Sequence, residues 1–255
     1  MEKFLITRGA VLAGLAALAL TCPSAAQTMG ETSGAPINGF GDNDWPSLLN
    51  RPTRSGNVLT WVGPQGGGAN NGHPVQQSVT LGAPVAGQII SSSGTYTGLN
   101  LSDTLTITAS NVTVRNSYIS TVGGYNVVRI NAIGIENVVI EDCEIAGGGA
   151  AGGAAGQNGV FINNNIGSGG IIVRRNNIHA VGSGVASGDA PYQVTDNYIH
   201  DLDGAPETHF NGIQDNGHST HDGQPVLIEH NSIDNNLQNQ TDALMLDNLG
   251  SLTNV

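Results

Sequence analysis

The sequence predicts an all-β chain, a solenoid of short strands stacked coil on coil in parallel. Three observations predict it. Eight-residue echoes recur: VTVRNSYI at 112–119, VVIEDCEI at 138–145, IIVRRNNI at 171–178, YQVTDNYI at 192–199 and VLIEHNSI at 226–233. A second echo lies between them: VRIN at 128–131, VFIN at 160–163, VASG at 185–188, IQDN at 213–216 and LMLD at 244–247. Recurrence of this kind marks a repeat architecture. The third observation is composition. The chain has 37 glycines and only 4% aromatic residues, which fits tight turns and thin strands and not a helical protein.

Taken in order, residues 1–26 are expected to be a secretory signal peptide. Lys3 and Arg8 precede a short apolar run, and Ser24-Ala25-Ala26 offers small residues for cleavage. The run is too short to span a bilayer comfortably, and no later segment is long and apolar enough to do so. The expected location is therefore secreted or periplasmic. Residues 27–58 are rich in Gly, Pro, Asn and Ser without periodicity, and form a lead-in segment. Trp45 and Leu48-Leu49 within it are candidates to cap one end of the stack, as open stacks require. Residues 59–255 form the coil domain, and Leu59–Val62, Gln88–Ile90 and Leu105–Thr108 are strands of less regular first coils.

Each coil carries at least two strands. With a period of two, Val112 and Val114 face inward together with their counterparts, and the residues between face outward. The closing isoleucines at 119, 145, 178, 199 and 233 are spaced by 26, 33, 21 and 34 residues. That spread excludes a strict-period solenoid and fits a fixed cross-section with loops of variable length. Leu246 leads to Val255 as Ile162 leads to Ile171, so the chain is expected to be a C-terminal truncation that ends mid-coil.

Stacking also predicts ladders. Ser117, Cys143, Asn176, Asn197 and Asn231 occupy one site, where asparagine suits a sharp left-handed turn and can bond to the next coil. Arg115, Glu141, Arg174, Thr195 and Glu229 occupy another, so these arginines belong to a surface charge ladder. His179 and His200 are expected to stack as a pair. Cys143 is the one cysteine after the leader, so no internal disulfide is available, and it serves as a small buried hydrophobe.

After the leader the chain holds six arginines and no lysine, and the full sequence carries a net charge of −12. This excludes a nucleic-acid partner, which requires basic contacts to phosphate. The densest polar stretch is HDLDGAPETHFNGIQDNGHSTHD at 200–222, with four of the seven histidines. A long connection on a rigid coil scaffold is where function is carried. Asp201 and Asp203 also suit a turn with Gly204. His218, His221 and Asp222 are metal-capable side chains in a glycine-rich loop, where a solvated loop is the plainer reading.

The V-x-[VI]-x-x-N-x-I coils and interleaved G-[VI]-x-x strands resemble the right-handed parallel β-helix proteins of the pectin lyase-like superfamily. The resemblance covers 110–255 well and 59–109 more loosely. It implies a polysaccharide partner and a cleft on one strand face. That face would present Arg129, Phe161, Ala186, Gln214 and Met245 in order. Phe161 would stack on a sugar ring, while Arg129 and Gln214 would bond carboxylate or hydroxyl groups. A lyase needs a base for the uronate C5 proton, for which His209 is the candidate. A hydrolase needs paired carboxylates, for which Asp203, Glu207 and Asp215 are candidates. HFNGIQ at 209–214 is similar to an H-x-D-G-[IV]-Q string of some β-helix proteins, with Asn211 in place of the acid. The resemblance leaves calcium open as a cofactor. A monomer is expected, and a non-catalytic glycan-binding, adhesin or structural protein is the alternative to a lyase or hydrolase.

Overall fold

The computed structural model describes residues 51–64, 74–149, 158–163, 170–188, 191–203, 210–216, 226–234 and 241–246. The expected leader, the capping residues Trp45, Leu48 and Leu49, and the final turn to Val255 lie outside them. So do His209, Glu207, His218, His221 and Asp222.

The apolar alternation of the echoes folds into a β-helix with three parallel walls. The first wall contains β4 (Gln88–Ile90), β7 (Leu105–Ile107), β10 (Asn126–Ile130), β13 (Asn158–Ile162), β16 (Ser183–Ser187), β19 (Asn211–Asp215) and β22 (Asp242–Leu246). The second contains β5 (Gly94–Thr97), β8 (Val112–Arg115), β11 (Val138–Glu141), β14 (Ile171–Arg174), β17 (Tyr192–Thr195) and β20 (Leu227–Glu229). The third contains β6 (Asn100–Leu101), β9 (Tyr118–Ser120), β12 (Glu144–Ala146), β15 (Asn177–His179), β18 (Tyr198–His200) and β21 (Ser232–Asp234). Every strand pairs with those three before and after it in the chain, so each coil contributes one strand to each wall.

The eight-residue echo is thus two strands around one corner. Inward rows run Val112, Val138, Ile171 and Tyr192, then Val114, Ile140, Val173 and Val194. The closing isoleucines make the row Leu101, Ile119, Ile145, Ile178 and Ile199. All of these are buried. Burying each such side chain stabilises by about 1.5–3 kcal/mol, which explains why these rows stay apolar while the loops between them vary in length.

The corner differs from its sequence reading in one respect. The left-handed residues are Asn116, Asp142, Arg175, Asp196 and His230, with φ between 50° and 57°. They sit one place before the predicted asparagine row. The asparagines point into the core and cap carbonyls there: Asn197 Nδ2 donates to Val173 O at 2.9 Å and to Thr195 O at 3.0 Å. A side chain in that role has to face inward, so the reversal falls on its neighbour.

The glycines that open the first-wall strands have a steric cause. A Cβ on Gly184 would lie 2.5 Å from Gly212 O and 2.6 Å from Ile199 Cγ2. Gly159 and Gly212 are similarly enclosed, by the next coil's carbonyl and a closing isoleucine.

Leu59–Val62 departs from expectation. It belongs to a three-stranded antiparallel sheet of β1 (Thr53–Ser55), β2 (Val58–Pro64) and β3 (Pro74–Thr80), outside the parallel walls. Gly56, at φ 61°, makes the tight β1–β2 turn that forces the antiparallel return. Among the described residues no helix is long and apolar enough to cross a membrane.

Candidate functional site

The outward row of the first wall is continuous. Ile89, Thr106, Arg129, Phe161, Ala186, Gln214 and Met245 occupy one register position on successive coils. Coils about 4.8 Å apart therefore present Arg129 beside Phe161, and Gln214 two coils beyond Phe161. Amides border the row on both sides. Asn158 Nδ2 donates to Asn126 Oδ1 at 2.8 Å, and Asn163 Nδ2 donates to Asn131 Oδ1 at 2.7 Å.

Arg129 differs from the arginines of the second wall. Arg174 and Arg175 both bind Glu141, at 2.7 and 2.8 Å, and Arg175 also binds Asp142 at 2.9 Å. Glu141 lies in register with both Arg115 and Arg174, as the predicted charge ladder requires. Arg129 has Thr106 and Phe161 as its register neighbours instead. Its Nε is sealed from solvent without a hydrogen-bond partner among the described residues. Because Nε is sealed, an incoming oxyanion would meet the terminal nitrogens of this half-buried guanidinium on the outer row.

Gln214 is already engaged. Its Oε1 accepts from Ser183 Oγ at 3.1 Å and Asn211 Nδ2 at 3.0 Å, and its Nε2 donates to Asn216 Oδ1 at 2.6 Å. Asp215, the next residue, faces the other way. It continues the inward row of Ile130, Ile162 and Ser187 and is only 5% exposed. Tyr192 reaches it from the second wall. Burial, together with the Asp215 charge and a hydrogen bond to that carboxylate, holds the Tyr192 phenol well above its ordinary value. Strand alternation therefore separates two neighbouring candidates: Gln214 lies on the surface and Asp215 is in the core.

Asp203 sits past the end of β18, half-buried, with its backbone N–H donating to Val181 O at 2.9 Å. A Cβ built on Gly149 would lie 3.2 Å from its Oδ2, so glycine leaves the room this carboxylate occupies. Asp203 thus belongs to the corner that leads toward β19, and Asp215 to the interior. No group of three His, Cys, Asp or Glu side chains is arranged to hold a metal among the described residues.

His179 and His200 stack as the repeat implied, with ring centroids 5.1 Å apart, and Tyr198 stacks on His200 at 4.3 Å. Three features escaped the sequence reading. Arg175 lies at the left-handed corner, where only its alignment with Asp142 and Asp196 hints at pairing. Tyr192 occupies a row otherwise filled by aliphatic residues, and that substitution was its signal. The packing of residues 51–54 against the third wall had no signal, because its two hydrogen bonds span 90 and 125 residues of chain. Comparisons with protein-family models, curated proteins and solved structures find no match.

Proposed function

We propose that this chain is a secreted, polysaccharide-active β-helix protein of the pectin lyase-like kind, and that an acidic glycan lies along the outer row of the first wall. The observation that carries the reading is Arg129, a half-buried guanidinium on the outer row whose register neighbours, Thr106 and Phe161, are uncharged. It would take a uronate carboxylate, with Phe161 against the apolar face of the adjoining ring. In the lyase form His209 removes the C5 proton, and Arg129, three coils or about 14 Å along the stack from β19, anchors the carboxylate of another ring of the glycan. In the hydrolase form Asp203 and Glu207 flank the glycosidic oxygen. Asp215 then has a structural role, as the buried partner of Tyr192.

Incubation with alginate, pectate and glycosaminoglycans, followed by absorbance of unsaturated products, tests the lyase form. A reducing-end assay tests the hydrolase form. Absence of product with every polyuronate rejects both. A second reading, non-catalytic glycan binding, is favoured by the inward turn of Asp215 and the satisfied amide of Gln214. It predicts glycan binding without product. In either reading Phe161→Ala with Gln214→Ala weakens binding, and unchanged binding rejects the face.

A further inference from the structure

The outer face of the third wall is covered by the chain itself. The backbone N–H of Arg54 donates to Oε2 of Glu144. Asn177 Nδ2 donates to the carbonyl of Pro52 at 2.9 Å. The Arg54 guanidinium lies 4.2 Å from the centre of the Tyr118 ring, and that of Arg51 lies 5.6 Å from the centre of the Tyr198 ring. Tyr118, Glu144, Asn177 and Tyr198 are one outward row on four successive coils. Residues 51–54 therefore run along the stack axis, crossing the strands. Three coil spacings come to about 14 Å and three extended residues to about 10 Å. The flexible arginine stems cover the difference.

The contact is built. Glu144 and Asn177 are 8% and 5% exposed. Each is also held by a histidine of the coil beyond it. Glu144 Oε1 meets His179 Nε2 at 3.3 Å, and Asn177 Oδ1 meets His200 Nε2 at 2.8 Å. Asn177 uses its amide N–H toward Pro52, so its oxygen faces His200 Nε2 as an acceptor, while His200 Nδ1 faces the Asp201 carboxylate at 2.7 Å. The stacked histidines thus set the orientation of the two groups that grip the segment.

We propose that Arg51–Arg54 is a latch, closed in cis over a peptide-binding face of the third wall and able to lift without unfolding the coils. Its four contacts to the wall are all to side chains; β1 (Thr53–Ser55) also pairs with β2, so lifting either breaks that three-residue ladder or carries β2 with it. The wall's own backbone ladders are complete without it, so its release costs none of them. The face it covers takes an extended segment with two guanidinium groups three residues apart: a tyrosine ring at each end, an acid and an amide between.

Trypsin cleavage of Arg54–Ser55 in the full-length protein tests the latch, because a protease requires a lifted, extended segment. Arg51→Ala and, separately, Asn177→Ala are expected to raise the cleavage rate about tenfold, with the thermal unfolding of the coils little changed in Arg51→Ala. If Asn177→Ala does not fold, Arg51→Ala decides. Equal rates in wild type and Arg51→Ala overturn the latch. A labelled synthetic peptide of residues 50–56 then tests the face. It is expected to bind the Arg51→Ala, Arg54→Ala protein more tightly than wild type, where the strap competes. Equal binding to the two proteins, or none to either, overturns the peptide-binding assignment.

Discussion

The side-chain amide of Asn176 donates to the amide oxygen of Asn197, 3.0 Å away on the next coil and sealed from water. Asn197 repeats the contact toward Asn231 at 2.9 Å. The same oxygens accept backbone N–H groups of the preceding coil, at Asn176 and Asn197, and Cys143 N–H donates in the same way to Asn176 Oδ1. This column closes the corner polar groups that the turn leaves unpaired, so that a row of small polar side chains can lie inside an apolar stack.

Replacing Asn197 by alanine removes donors to Val173, Thr195 and Asn231 and orphans two N–H groups of Asn176. Urea unfolding should show a loss of about 3 kcal/mol or more, in the range of a broken buried network. Asn231→Ala, near the last described coil and more exposed, should cost less. Equal costs would argue against a column that is strongest at its buried centre.

Gly184→Ala tests the close approach of the coils. The added Cβ meets a backbone carbonyl at 2.5 Å, which cannot rotate away. The expected loss is about 1–3 kcal/mol by denaturant unfolding, typical of overpacking. Gly123→Ala, where nothing lies within 4 Å of the new atom, is the control and should be near neutral.

Stability should fall in two stages on acidification. Burial holds His200 below its ordinary 6.5, so the unfolded chain takes up this proton first. Stability therefore declines as pH drops from 6.5 toward the lower folded value, then levels off. Burial raises the Glu141 carboxyl, but the Arg174 and Arg175 guanidinium groups outweigh it and leave the group below 4.5. Its contribution is complete above 4.5 and disappears as pH falls through that lowered value. Thermal unfolding across pH should lose the upper stage in His200→Gln and the lower stage in Glu141→Gln. If the two variants lose the same stage, these assignments are incorrect.

What could be read from the sequence was whatever repeats. The inner rows, the asparagine column, the Glu141–Arg174 rung and the His179–His200 stack each follow from aligning the echoes, because parallel in-register stacking converts sequence position into spatial neighbourhood. The order Arg129, Phe161, Ala186, Gln214 and Met245 was legible for the same reason. What was not legible depends on direction or distance. Asp215 sits one residue from an outward position, and a single residue reverses its face. Leu59–Val62 has the same apolar alternation as a coil strand, and only its turn at Gly56 makes it antiparallel. The strap contacts of Arg51 and Arg54 join parts of the chain with no shared pattern.

The most direct test of the glycan assignment is the affinity of the full-length protein for a polyuronate, measured by titration calorimetry in wild type, Arg129→Ala and Arg115→Ala. Arg115 lies in the second-wall ladder beside Glu141 and serves as the charge-matched control. An about tenfold or greater loss in Arg129→Ala, with Arg115→Ala close to wild type, is the predicted result. Equal affinity in the two variants would contradict a glycan site on the first wall.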